Sequence, residues 1–88
     1  MSKQSVLIID DESQIRKLLT ITLQSNNYEV REEANGRDGI AAVSKRAPDL
    51  VLLDLGLPDE SGQEVLKHLR EWYSNLSLSF LYKVAKKK

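Results

Sequence analysis

Continuous apolar runs alternate with amphipathic stretches along this chain. Ser5-Val6-Leu7-Ile8-Ile9-Asp10 is rich in β-branched residues and reads as a strand buried on both faces. Leu50-Val51-Leu52-Leu53-Asp54 is a second run of the same kind, although periodicity alone does not separate so short a run from a piece of buried helix. Between them, Ile15, Leu18, Leu19, Thr22 and Leu23 recur at helical spacing and predict a helix over Ser13 to Ser25. Asn26-Asn27 can end that helix, because Asn tolerates the left-handed conformation. Tyr28 to Glu33 alternates imperfectly and carries Glu29, Arg31, Glu32 and Glu33, which suits a strand at a sheet edge. Asn35-Gly36 signals a turn, and a second helix follows from Arg37 to Lys45, with Ile40, Ala41, Val43 and Ala47 as apolar members and Pro48 as its stop.

A loop from Leu55 to Ser61 then leads into a third helix, Gly62 to Tyr73. Its apolar positions are Val65, Leu66, Leu69, Trp72 and Tyr73, and Lys67, His68, Arg70 and Glu71 make its wet face. The stretch 76–82 alternates with period two and then runs apolar, so it is read as a further, half-exposed strand. The order β-α-β-α-β-α-(β) implies an α/β fold: a doubly wound parallel sheet with right-handed crossovers. The sheet is incomplete, with three clear β-α units and one strand that the pattern leaves open.

Bulk properties narrow the class. A chain of 88 residues with 41% hydrophobic and 30% charged residues holds at most one small globular domain. It has no cysteine, which excludes disulfides and thiolate metal sites and is compatible with a reducing compartment. No apolar run approaches the ~20 residues of a membrane span. The polar start, Met1 to Ser5, does not resemble a signal peptide. The net charge is zero but unevenly spread. Residues 1–72 hold nine basic and thirteen acidic residues, a net of −4, while residues 73–88 hold Lys83, Lys86, Lys87 and Lys88 and no acid. Such a tail attracts polyanions or, more plainly, is a solvated chain end.

The chemistry sits at the strand ends. In a parallel sheet all carboxyl ends share one edge, where open α/β sheets bind their ligands. The first strand delivers Asp10 and Asp11 there, and the third delivers Asp54. Gathered carboxylates repel one another unless a proton or a cation sits among them. Two or three carboxylates, with room left for water and a phosphate, suit Mg²⁺ better than Ca²⁺. With the charge neutralised, Asp54 could attack phosphorus and become an aspartyl phosphate. The plainer alternative stays open at this point: Asp10 to Glu12 as acids favoured by a helix N-terminus, and Asp54 as a loop cap.

The motif V-L-I-I-D-D-E at Val6 to Glu12, together with L-V-L-L-D-L-G-L-P-D-x-x-G at Leu50 to Gly62, resembles the receiver domain of two-component response regulators. The similarity covers about residues 4 to 72. Within that family the string D-L-G-L-P-D, with L-R-E-W at Leu69 to Trp72, is most similar to OmpR/PhoB-type regulators, above all those of the Kdp potassium-uptake system. The resemblance implies a flavodoxin-like fold and a cytoplasmic signalling module that is not an enzyme. Asp54 would be the phosphoacceptor, charged by a sensor histidine kinase. Asp11 would ligate Mg²⁺ directly and Asp10 directly or through water. Asp54 would share the ion, and Gly56 would offer it a backbone carbonyl. Pro58 and Gly62 would shape the loop beside the pocket. A second copy of the chain or another response regulator is the further partner the family suggests. These regulators usually carry a winged-helix DNA-binding domain after the receiver, and none is expected within these residues.

The chain also departs from the family. A receiver places a Ser or Thr at the end of its fourth strand and a Lys at the end of its fifth, and neither role is assigned to any residue present. The expectation is an N-terminal part of a receiver over 1–72, a divergent tail over 73–88, and a product truncated by a frame change near Trp72. Two other readings remain. One is an inert pseudo-receiver that only binds proteins. The other is a Mg²⁺-dependent phosphohydrolase with an Asp nucleophile, against which Gly56 stands where a second acid is usual.

Overall fold

The structure, a computed structural model, describes residues 3–57, 62–72 and 77–81. The predicted boundaries that fall outside are the loop positions 58–61, the helix end at Tyr73, the strand ends at Leu76 and Tyr82, and the lysine tail. The elements run β1 (Ser5–Ile9), α1 (Ser13–Ser25), β2 (Glu29–Glu33), α2 (Gly36–Lys45), β3 (Leu50–Asp54), α3 (Gly62–Trp72) and β4 (Ser77–Leu81). The strands form one parallel sheet in the order β2-β1-β3-β4. The run left open over 76–82 is therefore a strand, β4, paired to β3 with Leu50 beside Ser77 and Asp54 beside Leu81.

β1 is central because it can be. Val6, Leu7, Ile8 and Ile9 are all fully buried, which only a strand covered on both faces allows. Right-handed crossovers fix the layers. The step from β1 to β2 runs one way along the sheet, and the steps β2 to β3 and β3 to β4 run the other. That reversal puts α1 on one face and α2 with α3 on the other. The main core lies on the second face, where Leu7, Ile9, Val51 and Leu53 from the strands meet Val43, Leu57, Val65 and Leu69. Val6 and Ile8 alternate to the opposite face, toward α1.

The charged strand lies at the edge as expected, with β1 as its one neighbour among the described residues. Arg31 on β2 donates to the carbonyls of Ala42 and Arg46, at 3.2 and 2.6 Å, and so satisfies the carboxyl end of α2. α2 begins at Gly36, one residue before the predicted start, because the Asn35 side chain accepts the Asp38 N–H at 2.8 Å and caps the helix. α1 ends where the Asn pair stands, with Asn27 at φ 73°.

Three apolar assignments are corrected. Leu18, counted in the helical stripe of α1, is 61% exposed; α1 rests over β2 through the flank carrying Ile15, Leu19 and Leu23, and no residue of the helix is fully buried. Ala41 and Ala47 are likewise exposed, while Gly39 is buried in their stead. A Cβ on Gly39 would sit 2.5 Å from Ile9 Cδ1, so the missing side chain is what lets α2 lie down on β1. His68, placed on the wet face of α3, is half-buried. At the amino-terminal edge of the sheet, Asp49 and Ser5 hold β3 and β1 together: the Ser5 N–H donates to Asp49 Oδ2 at 2.7 Å, and the Asp49 N–H to the Ser5 carbonyl at 2.9 Å.

Candidate functional site

Chain direction along the sheet reverses between β1 and β3, which opens a crevice at their carboxyl ends. Both strands end there on acid. Asp10 follows the last residue of β1 and is fully buried; Asp11 is half-buried; Glu12, the N-cap of α1, is exposed. Asp54, the last residue of β3, is fully buried. One carboxylate oxygen from each of Asp10, Asp11 and Asp54 lies within 4.8 Å of the others. The structure thus brings together the three acids that the sequence placed at one sheet edge.

The two buried carboxylates are held in the same way. Asp10 Oδ1 accepts the Glu12 N–H at 2.8 Å, and Asp54 Oδ1 accepts the Gly56 N–H at 2.9 Å. Each aspartate turns back on the backbone two residues ahead, the short turn that Asp side chains favour. These bonds fix the side chains at the mouth of the crevice and offset part of the cost of burying charge. Gly56 lies in an exposed turn beyond Asp54. Gly62 closes the same loop, its N–H donating to the Leu55 carbonyl at 3.0 Å. The loop residue Pro58 lies outside the described residues.

Carboxylate oxygens from three residues make a hard, anionic donor set, which fits a divalent cation of the Mg²⁺ type. The geometry provides anions at a strand-end crevice, a tight turn beside one of them, and an α1 N-terminus close by in sequence. A groove of about 680 Å³ between β2 and α2, lined by Arg31, Glu33, Asp38, Ala42, Lys45 and Arg46 among others, contains none of the three aspartates.

One contributor escaped the sequence reading. Arg16, in the first turn of α1, donates from Nη1 to the Asp10 carbonyl at 2.7 Å and from Nε to Glu32 Oε1 at 3.2 Å. The available signal was its position: a cation at the amino end of a helix opposes the helix dipole and calls for another reason to be there.

Known proteins resemble this chain in both sequence and fold. The family model described as "Response regulator receiver domain" matches residues 6–87. The transcriptional regulatory protein KdpE of Mycobacterium tuberculosis H37Rv is 48% identical over 67 residues, which is 76% of this chain and 30% of that protein. The KDP operon transcriptional regulatory protein KdpE of Escherichia coli K12 is 41% identical over 77% of this chain and 30% of its own length. The chain thus spans about a third of the length of these relatives. Among solved structures, a CheY-like receiver domain protein from Methanospirillum hungatei superposes with a TM-score of 0.92 at 27% identity, over 97% of this chain and 68% of that one. The response regulator TrrA from Thermotoga maritima, solved in complex with Mg²⁺-BeF, gives 0.89 at 32% identity over 93% of this chain and 71% of that one.

Proposed function

Because this chain belongs to the family of response regulator receiver domains, we propose that it is a phosphoacceptor module of a two-component system and that Asp54 takes the phosphoryl group. The observation that carries this is the convergence of Asp10, Asp11 and Asp54 within 4.8 Å at the crevice between β1 and β3. Asp11 and Asp54 are direct ligands for Mg²⁺ in this reading, with Asp10 contributing directly or through water and Gly56 through its carbonyl. The related TrrA holds Mg²⁺-BeF, which supports the choice of ion. Mg²⁺ bound there would offset the charge of the incoming phosphoryl group.

The chain's own part is positional. The Gly56 N–H fixes one oxygen of Asp54 and thereby orients the carboxylate. In the transfer, a carboxylate oxygen of Asp54 forms the new O–P bond as the P–N bond of a phosphohistidine on a sensor histidine kinase breaks. The imidazole nitrogen keeps the electron pair of that bond and takes up a proton. No base is needed on this side, since Asp54 acts as an anion. The module is regulatory rather than enzymatic. Its most receiver-like part in this reading is residues 1–72, with 73–88 divergent although the family match itself runs on to residue 87, and a second copy or another response regulator is a further partner.

A second reading has one observation in its favour. On β4 the residue in register with Asp54 is Leu81, and Ser79 stands beside Leu52. No hydroxyl residue of β4 shares the register of Asp54, so the group that reads the phosphoryl in a receiver is not supplied at that position. An inert module that only binds proteins accounts for this. Incubation with acetyl phosphate and Mg²⁺ separates the readings. A lasting, acid-stable and base-labile adduct mapped to Asp54 supports the phosphoacceptor, rapid turnover supports a phosphohydrolase, and no adduct supports the inert module.

A further inference from the structure

We propose, resting on the phosphoacceptor reading above, that Arg16 is a positioning residue for the acid cluster and acts through the peptide joining Asp10 to Asp11. That peptide lies beyond Ile9, the last residue of β1, where the strand no longer dictates backbone direction. Its carbonyl, from Asp10, accepts the Arg16 Nη1–H at 2.7 Å. A charge-assisted bond of that length is among the stronger kinds a backbone carbonyl can accept. The guanidinium is itself aimed by Glu32 on β2, whose Oε1 accepts from Arg16 Nε at 3.2 Å, and the Arg16 side chain is only 18% exposed. The next residue on β2, Glu33, accepts the Asp10 N–H on its carbonyl at 3.1 Å.

Asp10 is therefore held at three points. β2 takes its N–H, Arg16 takes its carbonyl, and the Glu12 N–H takes its Oδ1. The carbonyl bond matters most for the site, because rotating that one peptide swings the Asp11 carboxylate relative to Asp10 and Asp54. Two donors of one planar fork reach two different elements at once, and a lysine cannot reproduce that span. The cation also stands in the first turn of α1, where the helix dipole disfavours it, so its placement is explained by the bonds it makes.

Mn²⁺ binding to the full chain, read by the electron paramagnetic resonance of free Mn²⁺, tests this alongside the backbone amide spectrum of the metal-free protein. Arg16→Met is expected to weaken Mn²⁺ about 10-fold, the usual scale for losing a group that orients a ligand. Arg16→Lys and Glu32→Ala should each cost less. In all three, the Asp11 amide resonance should shift or broaden without metal, while the amides of Val43 and Leu69 stay in place. Wild-type affinity with an unmoved Asp11 amide overturns the proposal. If Arg16→Met does not fold, Arg16→Lys and Glu32→Ala decide by the same two readouts. If the wild-type chain binds no Mn²⁺, the phosphoacceptor reading falls, and the Asp11 amide alone then upholds or overturns the Arg16 clamp.

Discussion

Replacing Gly62 with alanine should loosen the loop that carries the site, and the structure sets the size of the effect. Gly62 is buried at the start of α3, where it closes on the end of β3. A Cβ there would overlap Leu55 Cα and lie 2.7 Å from the Asp54 carbonyl oxygen. Both obstacles are backbone, so no rotamer change relieves them, and α3 must back away from β3. Overpacking of this kind costs about 1–3 kcal/mol, and an obstacle that cannot rotate aside belongs in the upper half of that range. Against it stands a gain of about 0.4–1 kcal/mol, because alanine restricts the unfolded chain. A net loss of about 1–2.6 kcal/mol follows, with a melting point lower by about 4–21 °C for a domain of this size. Gly56→Ala is the control. Among the described residues its Cβ would meet only Asp54 Oδ1, at 3.6 Å, in an exposed turn without positive φ, so its stability should stay within about 0.5 kcal/mol of wild type. Urea unfolding followed by circular dichroism compares the three proteins. Equal midpoints for Gly62→Ala and wild type would show that α3 does not pack on the end of β3 as described.

Other expectations are smaller in scope. Leu69→Ala, at a fully buried core position, should cost about 2–5 kcal/mol in the same unfolding assay, and Leu18→Ala, on the exposed flank of α1, within about 0.5 kcal/mol; the reverse order would misplace both helices. Asn35→Ala removes the cap of α2 and should cost about 1 kcal/mol in thermal melts, and Asn35→Asp, which keeps the cap but replaces the amide that donates to Asp38 Oδ2 at 3.2 Å with a second carboxylate, should also lose stability. Arg31→Met, which removes the side-chain donor of the Arg46 carbonyl and the second donor of the Ala42 carbonyl, already bonded to the Arg46 N–H, should cost about 1–2 kcal/mol. Arg46→Met should cost under about 1 kcal/mol, since its bond to Glu29 at 3.0 Å is largely exposed. Equal losses for the two arginines would contradict that ranking.

Much of this architecture was legible because it rests on local pattern. The runs at Val6–Ile9 and Leu50–Leu53 are apolar without interruption, and their β-branched content and short length favour strands covered on both faces over pieces of buried helix. The charges of β2 marked an edge, and the Asn pair marked the left-handed residue that ends α1. The acid cluster was legible for a topological reason: parallel strands collect their carboxyl ends, so two acid-ended strands had to meet if they were neighbours. What remained hidden depends on contacts between elements. Helical spacing alone put Leu18 in the stripe of α1, but the angle at which α1 lies over β2 turns it outward. Gly39 carries no pattern, and its value is the space it leaves to Ile9. Sequence could not rank the paired acids either; the extra ladder bond from Asp10 to Glu33 draws Asp10 inside and leaves Asp11 half-exposed. Arg16 looked like one more charge on a helix until β2 and the turn after β1 were seen beside it.

The central claim is that Asp10, Asp11 and Asp54 form one site that holds Mg²⁺ and a phosphoryl-like group together. Fluorine resonance of beryllofluoride tests it most directly, because the probe adds to a phosphoacceptor carboxylate without a kinase. A bound fluorine signal is expected in the wild-type chain only when Mg²⁺ is present, and it should vanish in Asp54→Asn and weaken in Asp11→Asn. A bound signal that forms without Mg²⁺, or survives Asp54→Asn, or never forms with the folded chain at saturating Mg²⁺, would contradict it.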